Sequence, residues 1–206
     1  MDLYDACKVV LRPLTRALFA ARASGEGHVP LSGPVVIAAN HVSYLDPPML
    51  GTWFPRPVHF MAKQELFKIP VLGSLISAVH AFPVDRERGD VGAIRRALRI
   101  LKAGRVVGIF PEGRRNVAGD AQARGGAVLL AATARCPLVP VALISTNLAI
   151  RRLRRSHVEV RIGQPISFQG SDRKPTKTEL AQWTDQVAIA INDLKADRSE
   201  KPERES

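Results

Sequence analysis

Within the segment Asn40-His41-Val42-Ser43-Tyr44-Leu45-Asp46-Pro47, a histidine and an aspartate stand five positions apart. If the two side chains meet, Asp46 fixes the imidazole tautomer and His41 takes a proton from a hydroxyl nucleophile. In a regular helix an offset of five turns two residues about 140° apart, so the pairing requires a turn. Pro47 and Pro48 supply one. The preceding run, residues 35–39, is apolar and strand-like, and the end of a buried strand is where open α/β folds place their chemistry. Spacing alone does not single out this pair, because His80 and Asp85 repeat it. That second pair spans Ala81-Phe82-Pro83-Val84, which reads as extended, and an odd offset in a strand sends side chains to opposite faces. Plainer roles are open to the first pair as well. His41 reads equally as a capped histidine at a strand end, and Asp46 as a helix N-cap with Pro47 at the first helical position. A cap can also orient a base.

The elements that must position these residues are legible as alternating patterns. Strand signals occur at residues 35–39, 59–62, 82–85, 106–110, 138–144 and 158–162. Helical patterns occupy 48–53, 66–79, 91–103, 126–135 and 178–194. In the third of these Val91, Ile94, Leu98 and Leu101 share a face, arginines lie opposite, and Gly104 ends the helix. The alternation predicts an α/β fold, a mixed and partly parallel sheet flanked by helices, with loops at strand ends carrying the site.

A helix comes first. Over residues 3–22, Val10, Leu11, Leu14, Leu18 and Phe19 gather near one face, with Lys8, Arg12, Arg16 and Arg22 elsewhere. That pattern suits a basic interfacial helix drawn to anionic lipid, and it suits equally a helix packed on the domain's own core. The expected division is an amphipathic, membrane-associating helix over 1–25, one catalytic domain over 26–195, and a charged, disordered tail over 196–206. No internal repeat stands out.

Thirty Lys and Arg against nineteen Asp and Glu leave a net charge of +11 on 206 residues. Such a field favours nucleic acid, an anionic membrane, or acidic ligands such as coenzyme A and acyl carrier protein. Aromatic residues make up 5% of the chain and no nucleic-acid motif interleaves them with the basic positions, so nucleic acid is not an expected partner. The run Arg151-Arg152-Leu153-Arg154-Arg155 reads as a solvated loop or a contact for membrane or acidic cofactor. Cys7 and Cys136 stand far apart, which suggests neither a disulfide framework nor a metal site, and a reducing compartment. The start Met-Asp-Leu-Tyr-Asp lacks the basic region of a signal peptide. The most apolar stretch, 69–84, is interrupted by His80, Ser74, Ser77 and prolines, so no spanning helix is expected.

Three further segments follow the His41 block in order: FPVDR (Phe82 to Arg86), FPEGRRN (Phe110 to Asn116) and LVPVALI (Leu138 to Ile144). Together the four resemble the blocks of the glycerolipid acyltransferase family, over roughly two-thirds of the chain, from about Gly33 to Ile166. The resemblance implies transfer of a fatty acyl group from acyl-coenzyme A or acyl carrier protein to a lysophospholipid hydroxyl. The expected acceptor is 1-acyl-glycerol-3-phosphate, giving phosphatidic acid; other lysophospholipids or lipid acceptors are the alternative. It implies no cofactor and no metal. It makes His41 and Asp46 the catalytic pair, and assigns Arg86, Glu112, Gly113 and Arg115 to the acceptor and its phosphate. Val139 and Pro140 are implied to shape the acyl-donor side. The third block commonly reads Phe-Pro-Glu-Gly-Thr-Arg-Ser; here Arg114 replaces the Thr and Asn116 the Ser. The added cation at Arg114 is compatible with a phosphate and leaves the acceptor's identity open.

Physical reading agrees. The guanidinium fork of Arg86, Arg114 and Arg115 matches phosphate oxygens, and Gly113 permits close backbone approach. Backbone N–H groups near the His41 turn are the expected donors to the oxyanion. Residues 67–81, with Gly73 and small neighbours, are the candidate wall of an acyl-chain tunnel. A peripheral enzyme at the cytoplasmic face of the cell membrane, on an anionic surface, completes the expectation. Ser43 lacks a G-x-S-x-G elbow, which weakens a serine-hydrolase reading. The intact His41, Asp46, Glu112 and Arg115 argue against a non-catalytic lipid-binding protein.

Overall fold

A computed structural model of the chain describes residues 3–85, 90–112, 125–168 and 175–197. Its strands are Arg22–Ser24 (β1), Val35–Ala39 (β2), Val58–Lys63 (β3), Phe82–Val84 (β4), Val106–Ile109 (β5), Leu138–Ile144 (β6) and Glu159–Ile162 (β7). Its helices are Leu3–Phe19 (α1), Asp46–Trp53 (α2), Leu72–Ala78 (α3), Val91–Lys102 (α4), Gly126–Ala134 (α5), Ala149–Arg152 (α6) and Lys177–Ala196 (α7).

The strands form one sheet in the order β1-β7-β6-β2-β5-β3-β4. Every neighbouring pair is parallel except β6 with β7. β2 consists of five apolar residues, all buried, as a central strand covered on both faces must be. Alternate residues divide between two cores. Val35, Ile37 and Ala39 pack with Met49, Leu50, Trp53 and Phe54 of the α2 region. Val36 and Ala38 pack with Ala93, Ala97, Leu101, Val128 and Ala131 of α4 and α5. The chain therefore leaves β2 toward one face, while β5 is followed by α5 on the other. Between two adjacent strands whose connections diverge, an open α/β sheet leaves a crevice at the carboxyl ends.

Several elements differ from expectation. The first helix ends at Phe19, and Arg22–Ser24 joins the sheet beside β7; three residues without alternation gave no strand signal. Residues 66–79 do not make one helix. A 3-10 turn, Gln64–Lys68, and α3 are separated at Pro70 and at Val71, whose φ is 65°. Pro70 lacks the N–H a continuous helix would need. Ile69, Val71 and Leu75 of that segment are exposed. The last helix runs to Ala196, beyond the expected Leu194. It opens with a capping box, Thr176 and Glu179 bonding each other's backbone N–H. Cys136 is buried in the second core, where desolvation pushes its thiol up to about 11 and keeps it inert.

Candidate active site

His41 leaves the end of β2 and its ring returns onto α2. Its Nδ1 lies 2.8 Å from Asp46 Oδ2. The same oxygen accepts the backbone N–H groups of Val42 and Ser43, each at 2.7 Å. An oxygen that takes this many N–H donors is that of a carboxylate, so Nδ1 carries the proton and Nε2 the lone pair. Among the described residues Nε2 has no hydrogen-bond partner, and the imidazole is 11% exposed. Asp46 is fully buried, and its Oδ1 has no partner among the described residues. Its carboxylate faces the imidazole directly and fixes the ring's orientation and tautomer.

Asp46 is not the cap of α2. The N-cap position is Leu45 and no side chain caps the helix. The carboxylate turns back over the preceding loop instead. Prolines at the start of α2 need no N–H partners, which frees Asp46 for the imidazole. Ser43 braces the loop, accepting from Leu45 N–H through Oγ at 3.1 Å and from Asp46 N–H through its carbonyl at 3.3 Å.

From the neighbouring strand, Phe110 lays its ring on the imidazole, centroids 4.3 Å apart and 26° from parallel. Phe60 stacks in turn on Phe110 at 6.0 Å. Gly108 makes this possible: a Cβ there would come within 2.7 Å of the Phe60 ring. Glu112 reaches the same place, accepting the backbone N–H of His41. Desolvation raises its carboxyl above the ordinary value; the His41 N–H and the positive field of Lys195 and His41 oppose the rise. On the other flank, Asn40 exchanges two bonds with Leu143, Nδ2 donating at 2.9 Å and Oδ1 accepting at 2.7 Å. An amide placed so extends the β2–β6 pairing one step beyond the strand and fixes where His41 begins.

The structure thus unites His41, Asp46 and Glu112. Arg86, Gly113, Arg114 and Arg115 lie outside the described residues. The strand ends before them, Val84 and Ile109, are on the same rim, two strands or about 10 Å apart. Val139 and Pro140 are buried in β6, next to β2. One expectation changes. The turn's amides are already engaged: His41 with Glu112, Val42 and Ser43 with Asp46, Leu45 with Ser43. Those four N–H groups are not open to an oxyanion. Sequence reading also missed Phe110 and Asn40, although both stand inside the quoted blocks. An aromatic and an amide beside a His/Asp pair were the available signal. His80, by contrast, lies away from the site, stacked between Tyr4 and His59 at 5.1 and 4.7 Å. Among the described residues, no group of three or more His, Cys, Asp or Glu converges to hold a metal ion.

Residues 21–144 match the family model described as Acyltransferase. The chain is similar to a 1-acyl-sn-glycerol-3-phosphate acyltransferase of Bacillus subtilis (strain 168), 31% identical over 193 residues, 93% of this chain and 96% of that protein. It is similar also to one of Streptococcus pneumoniae, 32% identical over 146 residues, 70% of this chain and 53% of that protein. The crystal structure of the 1-acyl-sn-glycerophosphate acyltransferase PlsC from Thermotoga maritima shares the fold. Its TM-score is 0.70 at 24% identity, over 97% of this chain and 86% of that one.

Proposed function

This chain belongs to the acyltransferase family, and we propose that it moves a fatty acyl group from acyl-coenzyme A or acyl carrier protein to the free hydroxyl of 1-acyl-glycerol-3-phosphate. The product is phosphatidic acid. The observation that carries this reading is the Nδ1–Oδ2 bond of His41 and Asp46, which leaves Nε2 basic and open.

In the proposed step Nε2 takes the acceptor's hydroxyl proton as the oxygen attacks the thioester carbonyl. The new C–O bond forms and the carbonyl becomes a tetrahedral oxyanion. Its collapse breaks the C–S bond, and the imidazolium returns the proton to the leaving thiolate. Asp46 orients the ring and stabilises its charged form; Phe110 holds its plane. Glu112 holds the backbone from which the base projects. Arg86, Arg114 and Arg115 clamp the acceptor phosphate, with Gly113 allowing close approach. Val139 and Pro140 shape the donor side. The step calls on no cofactor and no metal.

A lipid acceptor requires contact with a bilayer. Among the described residues no helix is long and apolar enough to cross one. The exposed stripe of α1 supports attachment from the side: Val10, Leu14 and Leu18 are 63%, 46% and 41% exposed. The protein in this reading is peripheral, at the cytoplasmic face of the cell membrane.

The test is incubation with lysophosphatidic acid and palmitoyl-coenzyme A, following thiol release and diacyl product together. Release dependent on acceptor and absent in His41→Ala supports the reading. Acceptor-independent thiol release, or turnover that survives in His41→Ala, overturns it.

A further inference from the structure

We propose that the arginine-rich turn after β6 is a docking surface for an anionic phospholipid bilayer, and that it turns the catalytic rim toward that bilayer. The proposal deepens the membrane attachment argued above and is independent of the catalytic assignment. Helix α6 and the 3-10 turn Leu153–Ser156 carry Arg151, Arg152, Arg154 and Arg155, all exposed. None of the four guanidinium groups has a hydrogen bond or ion pair among the described residues. Cations this close repel one another, and a surface of lipid phosphates supplies the opposing charge. Each guanidinium also presents a planar fork matched to phosphate oxygens.

Interleaved with these charges are apolar side chains turned outward. Ile150 is 73% exposed and Leu153 52%. Leu153 holds φ at 45°, a left-handed conformation that side-chain-bearing residues rarely adopt, while its carbonyl accepts the Ser156 hydroxyl. Exposed apolar residues among cations make an interfacial surface, with phosphate contacts around a shallow hydrophobic insertion. A nucleic-acid surface would not need Ile150 and Leu153.

The turn is fastened to the two places that matter. Val158 N–H donates to Phe19 O at 3.2 Å and Ser156 Oγ to the same carbonyl at 3.4 Å, so the turn abuts the end of α1 that bears Leu14 and Leu18. It also follows β6, whose carboxyl end Asn40 ties to the His41 loop through Leu143. The arginines, the apolar stripe and the catalytic histidine are therefore carried on one rigid frame.

The experiment compares wild-type protein with two fourfold variants, Arg→Gln and Arg→Lys at positions 151, 152, 154 and 155, by sedimentation with vesicles. One set contains equal parts phosphatidylcholine and phosphatidylglycerol, the other phosphatidylcholine alone. The Gln variant should lose about tenfold or more in affinity for the mixed vesicles, while the Lys variant keeps most of it. Wild-type binding should weaken as salt rises. Thiol release with a monodisperse short-chain lysophosphatidic acid should be equal in all three. The proposal is overturned by unchanged binding of the Gln variant, or by an equal loss on both vesicle types. It is overturned too if thiol release falls with the monodisperse acceptor, which would place the arginines on acyl-coenzyme A. Loss of duplex DNA retention with vesicle binding intact would assign them to nucleic acid. Absence of thiol release in wild type would sink the acyl-transfer reading and leave the vesicle comparison standing.

Discussion

The loop after β2 and the first helix solve opposite problems. In the loop polar groups are buried and each bond is made inside the site: His41, Asp46, Asn40 and the amides of Val42 and Ser43 all find partners there. In α1 the polar side chains of Tyr4, Lys8 and Thr15 face the protein. Tyr4 OH donates to Gly51 O at 3.0 Å and accepts Val58 N–H at 3.1 Å. Lys8 donates to the carbonyls of Phe54 and Pro55 at the end of α2, and burial beside Arg12 lowers its ammonium below the ordinary value. Trp53 Nε1–H donates to Thr15 Oγ1 at 3.1 Å, under the Arg12 guanidinium 5.0 Å above the indole. The apolar stripe is left to the outside. In the proposed reaction the buried polar atoms of the loop serve chemistry; those of α1 leave an apolar face outside the core.

The sharpest break falls on the loop. His41→Ala should lower turnover by between about 100- and 10,000-fold, with vesicle binding unchanged and a smaller fall in Tm than Asp46→Asn. Asp46→Asn should cost turnover on a similar scale and also stability, by about 1–3 kcal/mol, because a buried NH2 replaces the unpartnered Oδ1. Thermal melts of the two variants would separate base from buried anchor; equal Tm values would refute the distinction. In α1 the pattern inverts. Serine at Val10, Leu14 and Leu18 together should abolish vesicle binding and leave Tm unmoved, whereas Leu50→Ala, buried in α2, should cost about 2–5 kcal/mol in denaturant melts.

The contact between α1 and the sheet has its own pH signature. His59 donates through Nδ1 to Val106 O at 3.2 Å and stacks on His80. Burial first, then His80, lowers it from 6.5 to about 4. The unfolded chain therefore binds a proton that the folded one refuses. Stability is fully present above about 6.5 and drains away as pH falls toward 4, by about 3 kcal/mol at most. His59→Gln should flatten that slope in urea melts taken across this range; an unchanged slope would reject the assignment. Glu112 has the opposite sign. Its carboxyl is raised by desolvation, so its contribution is lost as pH rises, and Glu112→Gln should gain stability at neutral pH over wild type. The smallest effect belongs to Thr15→Val, about 1 kcal/mol or slightly more, from the indole N–H it strands.

Much of this was readable in one dimension. The apolar run of β2, the prolines after Asp46 and the repeating strand-helix rhythm dictate a parallel-rich sheet with a His/Asp pair at a strand end. A run of branched residues covered on both faces and an offset of five across a turn are local facts, and the four blocks add the family. Other features depend on pieces distant in the chain. That α1 shows its apolar stripe to the outside is decided by the carbonyls of Phe54 and Pro55 and the indole of Trp53, which exist as partners only once α2 is in place. Periodicity tells that a helix has two faces, and it is silent on which face meets the core. The engagement of the His41 amide by Glu112, the Phe110 ring on the imidazole and the Asn40–Leu143 clasp were likewise settled by the sheet order, which sets β5 and β6 on either side of β2. Residue types and spacing named the proposed base, its carboxylate and, through their local bond, the nitrogen left open; the packing of distant strands set Phe110 against the imidazole and Asn40 against Leu143, which hold that ring in place.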